Sequence, residues 1–265
     1  MELTLYQVDA FTDRLFKGNP AAICPLHQWL PDRTMQAIAM ENNLSETAFF
    51  VREATGWRIR WFTPVTEVKL CGHATLAAAY VYFQHIDSDA DQVVFDSLSG
   101  PLTVIRDNEM LTLDFPVHRA EPLEPPTILG HALGAEAQEV LAADDWLVRL
   151  DSEETLRHLA PDMNLLRQLD RRGVIVTAEG RDCDFVSRFF APKYGIDEDP
   201  VTGSAHTILA PYWNERLDRN PLHARQLSPR GGELQCALHG ERVLISGRVA
   251  PYLKGTITLT QQDLA

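Results

Sequence analysis

Short stretches of alternating apolar and polar residues punctuate the chain, and two longer runs do not alternate at all. Thr4-Leu5-Tyr6-Gln7-Val8, Arg58-Ile59-Arg60-Trp61-Phe62 and Val93-Val94-Phe95 follow the strand period. Gly100-Pro101-Leu102-Thr103-Val104 turns near Asn108-Glu109 into Leu111-Thr112-Leu113. Likewise Gly232-Glu233-Leu234-Gln235-Cys236 turns at Gly240-Glu241 into Val243-Leu244-Ile245, so two hairpins are predicted. Residues 74–83, by contrast, are apolar on every side except at Thr75. A helix with no solvated face must be enclosed by other structure. The pattern predicts an α+β fold in which a curved, mostly antiparallel sheet or barrel surrounds a central buried helix.

The pattern occurs twice. Leu30-Pro31-Asp32 and Ala160-Pro161-Asp162 each open a helical stretch, and strands end in Trp61-Phe62-Thr63-Pro64 and Phe189-Phe190-Ala191-Pro192. A glycine then opens each apolar run, from Gly72-His73-Ala74 in one half and from Gly203-Ser204-Ala205 in the other, and a hairpin follows. These matches keep their order at offsets of 128 to 132 positions. A period of about half the chain predicts two pseudo-symmetric domains rather than a solenoid. The expected division is 1–117 and 118–265, with the last strand able to return to the first domain. The linker is expected near Pro116 to Pro126, where prolines and acidic residues interrupt the pattern. Pro211 should cost the second central helix one hydrogen bond.

The glycine-led helix starts draw the candidate chemistry together. The first amides of a helix lack internal partners and carry the positive end of its dipole, which suits an anion. His73 stands in the first turn of its helix, where positive charge is disfavoured, so a neutral ring able to pass a proton is expected. Asp199 lies four residues before Gly203 in the acidic loop Asp197-Glu198-Asp199-Pro200, its backbone restrained by Pro200. Glu46 begins the apolar strand Glu46-Thr47-Ala48-Phe49-Phe50, where a carboxylate either points outward or sits desolvated with a raised pKa. The second half reads Arg171-Arg172-Gly173-Val174 at the matching place, so no acid answers Glu46. An unpaired acid in a repeated frame points to a specialised role.

Composition narrows the function classes. The formal net charge of -13 over 265 residues disfavours nucleic-acid and acidic-membrane surfaces. No stretch reaches the roughly 20 apolar residues of a membrane span. Cys24, Cys71, Cys183 and Cys236 form no CxxC pair, and Met1-Glu2-Leu3-Thr4-Leu5-Tyr6 does not resemble a secretion signal, so free thiols in a cytosolic protein are expected. The nine histidines show no HxxxH or HxH spacing and no GxGxxG or Walker sequence occurs, so neither a metal nor a nucleotide is expected.

Val8-Asp9-Ala10-Phe11-Thr12, Gly18-Asn19-Pro20-Ala21-Ala22, Leu44-Ser45-Glu46-Thr47-Ala48, Leu70-Cys71-Gly72-His73-Ala74-Thr75, Asp114-Phe115-Pro116 and residues 199–206 together resemble the phenazine-biosynthesis isomerase family. That resemblance implies two domains of the diaminopimelate-epimerase fold with an active site between them, no cofactor, a small carboxylate-bearing substrate and a homodimer. It implies Glu46, His73 and Asp199 as catalytic residues, with Ser45, Gly72, Gly203 and Ser204 binding substrate. The implied reaction moves a proton between carbons so that a double bond migrates. Two rivals share the frame. An amino-acid racemase or epimerase needs two opposed thiols, but the counterpart of Cys71 is Thr202. A non-catalytic binder of small carboxylates needs the helix-start amides but not Glu46.

Overall fold

Where the sequence alternates, strands form, and where it runs continuously apolar, the strand or helix is covered on all sides. In the computed structural model, which describes residues 1–264, the first part of the chain runs β1 (Glu2–Ala10), β2 (Asn19–Leu26), α1 (Asp32–Asn42), β3 (Glu46–Glu53), β4 (Gly56–Phe62) and β5 (Glu67–Val68). It continues through α2 (Gly72–His85), β6 (Gln92–Ser97), β7 (Gly100–Asp107) and β8 (Met110–Pro116). All residues of β3 from Glu46 to Val51 are buried. The cause is visible in the layers: Met35 and Ile38 of α1 pack with Phe49 and Val51, while α2 packs against the same strand. A strand covered on both faces has no reason to alternate.

Helix α2 is the enclosed element. Ala74, Leu76, Ala77, Ala78, Ala79 and Val81 are fully buried, and the helix packs on β1, β2, β3 and β7. Its alanines let the surrounding backbone come close at little entropic cost. Thr75, the one polar residue of the run, donates its hydroxyl to the Cys71 carbonyl at 2.6 Å and so buries no unpaired group.

The later part runs β9 (Glu121–Pro122), α3 (Thr127–Leu133), β10 (Glu139–Ala142), β11 (Trp146–Arg149), α4 (Glu153–His158), α5 (Met163–Leu166), β12 (Val174–Glu179) and β13 (Phe185–Ala191). It ends with β14 (Ile196–Asp199), α6 (Gly203–Leu217), β15 (Leu222–Gln226), β16 (Gly232–His239) and β17 (Arg242–Gly247). Here Trp146, Val148, Val176 and Phe190 form one core with residues of α3, α4 and α5. Helix α6 runs through Pro211. The Thr207 carbonyl, which the missing Pro211 N–H would have bonded, accepts from the His118 amide at 3.1 Å instead.

The two parts repeat one pairing scheme. Strands β2 and β3 are parallel, β3 and β4 antiparallel, β4 and β6 parallel, β6 and β7 antiparallel. The same alternation runs through β11, β12, β13, β15 and β16. Helical crossovers such as α1 and α2 join the parallel neighbours. Most other ladders, among them β1 with β2 and with β18, β7 with β8 and β10 with β11, are antiparallel, so the pairing is mostly antiparallel as expected. The hairpin turns match as well: Asn108 and Gly240 both take positive φ, 54° and 59°, a conformation asparagine and glycine tolerate best. The repeat is unequal elsewhere, since α5 has four residues where α1 has eleven.

Strand β18 (Val249–Thr258) and the short α7 (Gln261–Leu264) complete the chain. Strand β18 lies antiparallel along the whole of β1, from Glu2 opposite Thr258 to Ala10 opposite Val249. The chain divides into two compact units, residues 1–114 with those from 246 onward, and residues 115–245. Among the described residues no helix is long and apolar enough to cross a membrane.

Candidate active site

In the first unit the ionisable residues meet at the start of α2. Strands β2 and β3 run parallel with Ala21 beside Glu46, so Asn19 and Glu46, the first residues of these strands, lie at the same end. Cys71 caps α2 with extended backbone and no side-chain cap bond, and His73 is the helix's second residue. The His73 ring stands between its neighbours. Its Nε2 is 3.2 Å from Glu46 Oε2, while its Nδ1 is 3.1 Å from Asn19 Nδ2 and 3.5 Å from Cys71 Sγ. The approach of Nε2 to Oε2 lacks the alignment of a full hydrogen bond. All four residues are buried, Asn19 completely. Burial holds His73 down to about 3, from 6.5, so the ring is neutral as the sequence led us to expect. Desolvation is the cause. Ser45 is half-buried in the turn just before Glu46, and Gly72 is half-buried just before His73.

Glu46, Cys71 and His73 are also the group most suited to a metal, with donor atoms within 4.8 Å of one another. The ring, however, turns Nδ1 to the thiol and Nε2 to the carboxylate. An ion bound in the ring plane through one nitrogen would lose the donor on the other side, so the ring orientation disfavours a three-residue chelate.

The second unit builds a different start for α6. Asp199 is not in a loop: it ends β14, is buried, and accepts the Thr202 hydroxyl at 2.5 Å. Thr202 is thus drawn away from the capping role its side chain usually takes, and the first amides of α6 have no side-chain cap. Gln226, buried at the end of β15, clamps this turn. Its Oε1 accepts from the Thr202 amide at 2.8 Å, and its Nε2 donates to the Asp199 carbonyl at 2.8 Å and to Thr202 Oγ1 at 3.2 Å. Ser204 receives a hydrogen bond from Arg172 Nη2 at 3.0 Å. The same guanidinium grips the fully buried Asp145 through Nε at 2.9 Å and Nη2 at 2.5 Å. The fork geometry fixes the cation beside the helix start.

The structure therefore gathers Glu46 with His73, Asp199 with the residue capping α6, and Ser204 with Arg172. Sequence reasoning missed Asn19, Asp145, Arg172 and Gln226 as members of these groups. Asn19 lay in a motif read only for resemblance, and Arg172 was noticed only as the place where no acid answers Glu46.

His206, one turn into α6, is fully buried and donates Nδ1–H to the Thr202 carbonyl at 2.8 Å. Burial holds it down to about 4, from 6.5. Both buried rings stay neutral in the folded chain, yet in the unfolded chain they charge below about 6.5. The unfolded state then binds more protons, so stability falls as pH drops from about 6.5 towards 4. Each ring contributes up to about 1.4 kcal/mol per pH unit in that window. Urea midpoints at pH 7, 6 and 5 should decline steadily, with a shallower decline in His206→Gln. A midpoint constant to pH 5 would contradict this.

Comparison with known proteins shows the family. The family model described as phenazine biosynthesis-like protein matches residues 8–255. An uncharacterized isomerase of Pseudomonas aeruginosa is 54% identical over 98% of this chain and 100% of its own. The chain belongs to the phenazine biosynthesis-like family. It is an enzyme of the isomerase class. A crystal structure of a family member from Enterococcus faecalis superposes with a TM-score of 0.95 at 47% identity, covering 98% of this chain and all of that one. A hydroxyproline epimerase from Agrobacterium vitis, at 10% identity with a TM-score of 0.61 over 97% of this chain and 92% of that one, shares the fold alone.

Proposed function

We propose that this family member moves a proton between carbons of a small carboxylate-bearing metabolite, so that a double bond migrates, with Glu46 as the acid–base group. The observation that supports this best is a buried carboxylate set 3.2 Å from a neutral imidazole at an uncapped helix start. Water is largely kept from Glu46, so the carboxylate meets the substrate with little hydration, while its residual exposure lets a proton held there exchange with solvent. The α6 start is the proposed carboxylate-binding element, through the amides of Gly203 and Ser204 and the nearby Arg172 cation. In this reading Asp199 holds Thr202 and thereby the first turn of α6, and Ser45 and Gly72 line the Glu46 side. The chemistry draws on no cofactor, and a homodimer is part of the same proposal.

The contact of Cys71 with His73 gives some support to a racemase in which thiols carry the proton. Thr202 at the equivalent cap of α6 weighs against it, because the return step would lack its thiol. Deuterium exchange in D₂O against a mixture of cyclic and acyclic unsaturated acids tests the proposal. One compound should gain label, and Cys71→Ala should keep most of that exchange. Loss of exchange in Cys71→Ala would move the chemistry to the thiol, and no exchange in any compound would overturn proton transfer between carbons.

A further inference from the structure

We infer that Asn19, assisted by Cys71, is a positioning residue that locks His73 with its single ring proton on Nε2. A neutral imidazole carries one N–H and one lone pair, and its neighbours decide which nitrogen has which. The Asn19 amide nitrogen, 3.1 Å from Nδ1, can only donate, and the Cys71 thiol at 3.5 Å is able to donate as well. A neighbour that can only donate requires the lone pair on Nδ1. The proton is left on Nε2, the nitrogen 3.2 Å from Glu46 Oε2.

The lock is held rigidly. Asn19 is fully buried and opens β2, where it pairs with Ala10 of β1, and Pro20 confines its backbone to extended conformations. The other fully buried histidine has the opposite arrangement. His206 faces a carbonyl oxygen with Nδ1, at 2.8 Å, and so carries its proton on Nδ1. The fold therefore does not impose one tautomer on buried rings; at His73 the local donors do.

The assignment separates the roles of the pair. With Nε2 protonated, His73 can donate towards Glu46 or a substrate but cannot accept a proton from either. Glu46 is then the pair's only proton acceptor, and a proton placed on it has no lone pair on Nε2 to escape to. The reversed tautomer would put a competing base 3.2 Å from the carboxylate. This rests on the reading of Glu46 and His73 as the acid–base pair, but the tautomer is measured without any turnover, so either idea can fail alone.

The test is the ¹⁵N spectrum of protein labelled in its histidine rings, with long-range ring correlations and His73 identified by its loss in His73→Gln. Wild type should show His73 Nδ1 unprotonated and Nε2 protonated at neutral pH. Asn19→Asp, which replaces the donor with an acceptor of the same shape, should move Nδ1 to the protonated range whether or not Nε2 keeps its own proton. Asn19→Ala, whose donor is simply absent, should show the Nδ1–H form appearing alongside the other. A protonated Nδ1 in wild type overturns the inference. So does an unprotonated Nδ1 in Asn19→Asp, or a spectrum unchanged in Asn19→Ala, each of which removes the role from Asn19.

Discussion

Glu46→Gln should lower deuterium exchange by about 10²- to 10⁴-fold, the usual worth of a positioned acid–base group, while leaving carboxylate binding intact. Glutamine has the shape of glutamate, and its side-chain oxygen can still face His73 Nε2, so neither the β3 start nor the α2 start needs to move. The carboxylate-binding groups proposed on α6 belong to the other unit and are untouched. The comparison therefore isolates proton transfer from binding. Exchange rates on the compound labelled by wild type, with thermal midpoints and ligand titrations for both proteins, make the measurement. A variant that retains more than a tenth of the wild-type rate removes Glu46 as the base. A variant that also loses its thermal midpoint shows instead that Glu46 holds the structure.

Gln226→Leu should cost about 3 kcal/mol of stability. The side chain is buried and satisfies the Thr202 amide and the Asp199 carbonyl together. Leucine fills similar space but offers neither donor nor acceptor, and each buried polar group left unpaired costs about 1–3 kcal/mol. The turn between β14 and α6 should loosen at the same time, so the apparent affinity for carboxylates should fall with it. Urea unfolding of the variant checks the first effect and titration with the labelled compound the second. A stability loss under about 1 kcal/mol would mean that water replaces the amide freely, and that the clamp is not what sets the α6 start.

The sequence carried the repeat, both central helices, the hairpins and the Glu46 strand because each leaves a local trace. Strand β3 reads as continuously apolar since it is covered on both faces, and the α2 run is apolar since the helix is enclosed. What stayed hidden are pairings fixed by tertiary register. Asn19 and His73 are 54 positions apart and Arg172 and Ser204 are 32 apart. Nothing in either segment names its partner. Asp199 was singled out beside the glycine turn within an acidic loop, but that the segment joins the sheet as β14, with Arg188 pairing Glu198, left no local trace. Residues from Ser246 onward group with the first unit, and β18 advertises no such membership because it bears mostly exposed residues.

The pairing of β18 with β1 sets an order on synthesis. When β1 leaves the ribosome it can meet β2 almost at once, but its other edge has no partner until β18 is translated. While everything between β2 and β18 is made, that edge is open to neighbouring nascent chains. The second unit has no such wait, since all its strands are made before β18. A folding helper that shields β1 during translation should therefore raise the yield of this protein more than one acting after release.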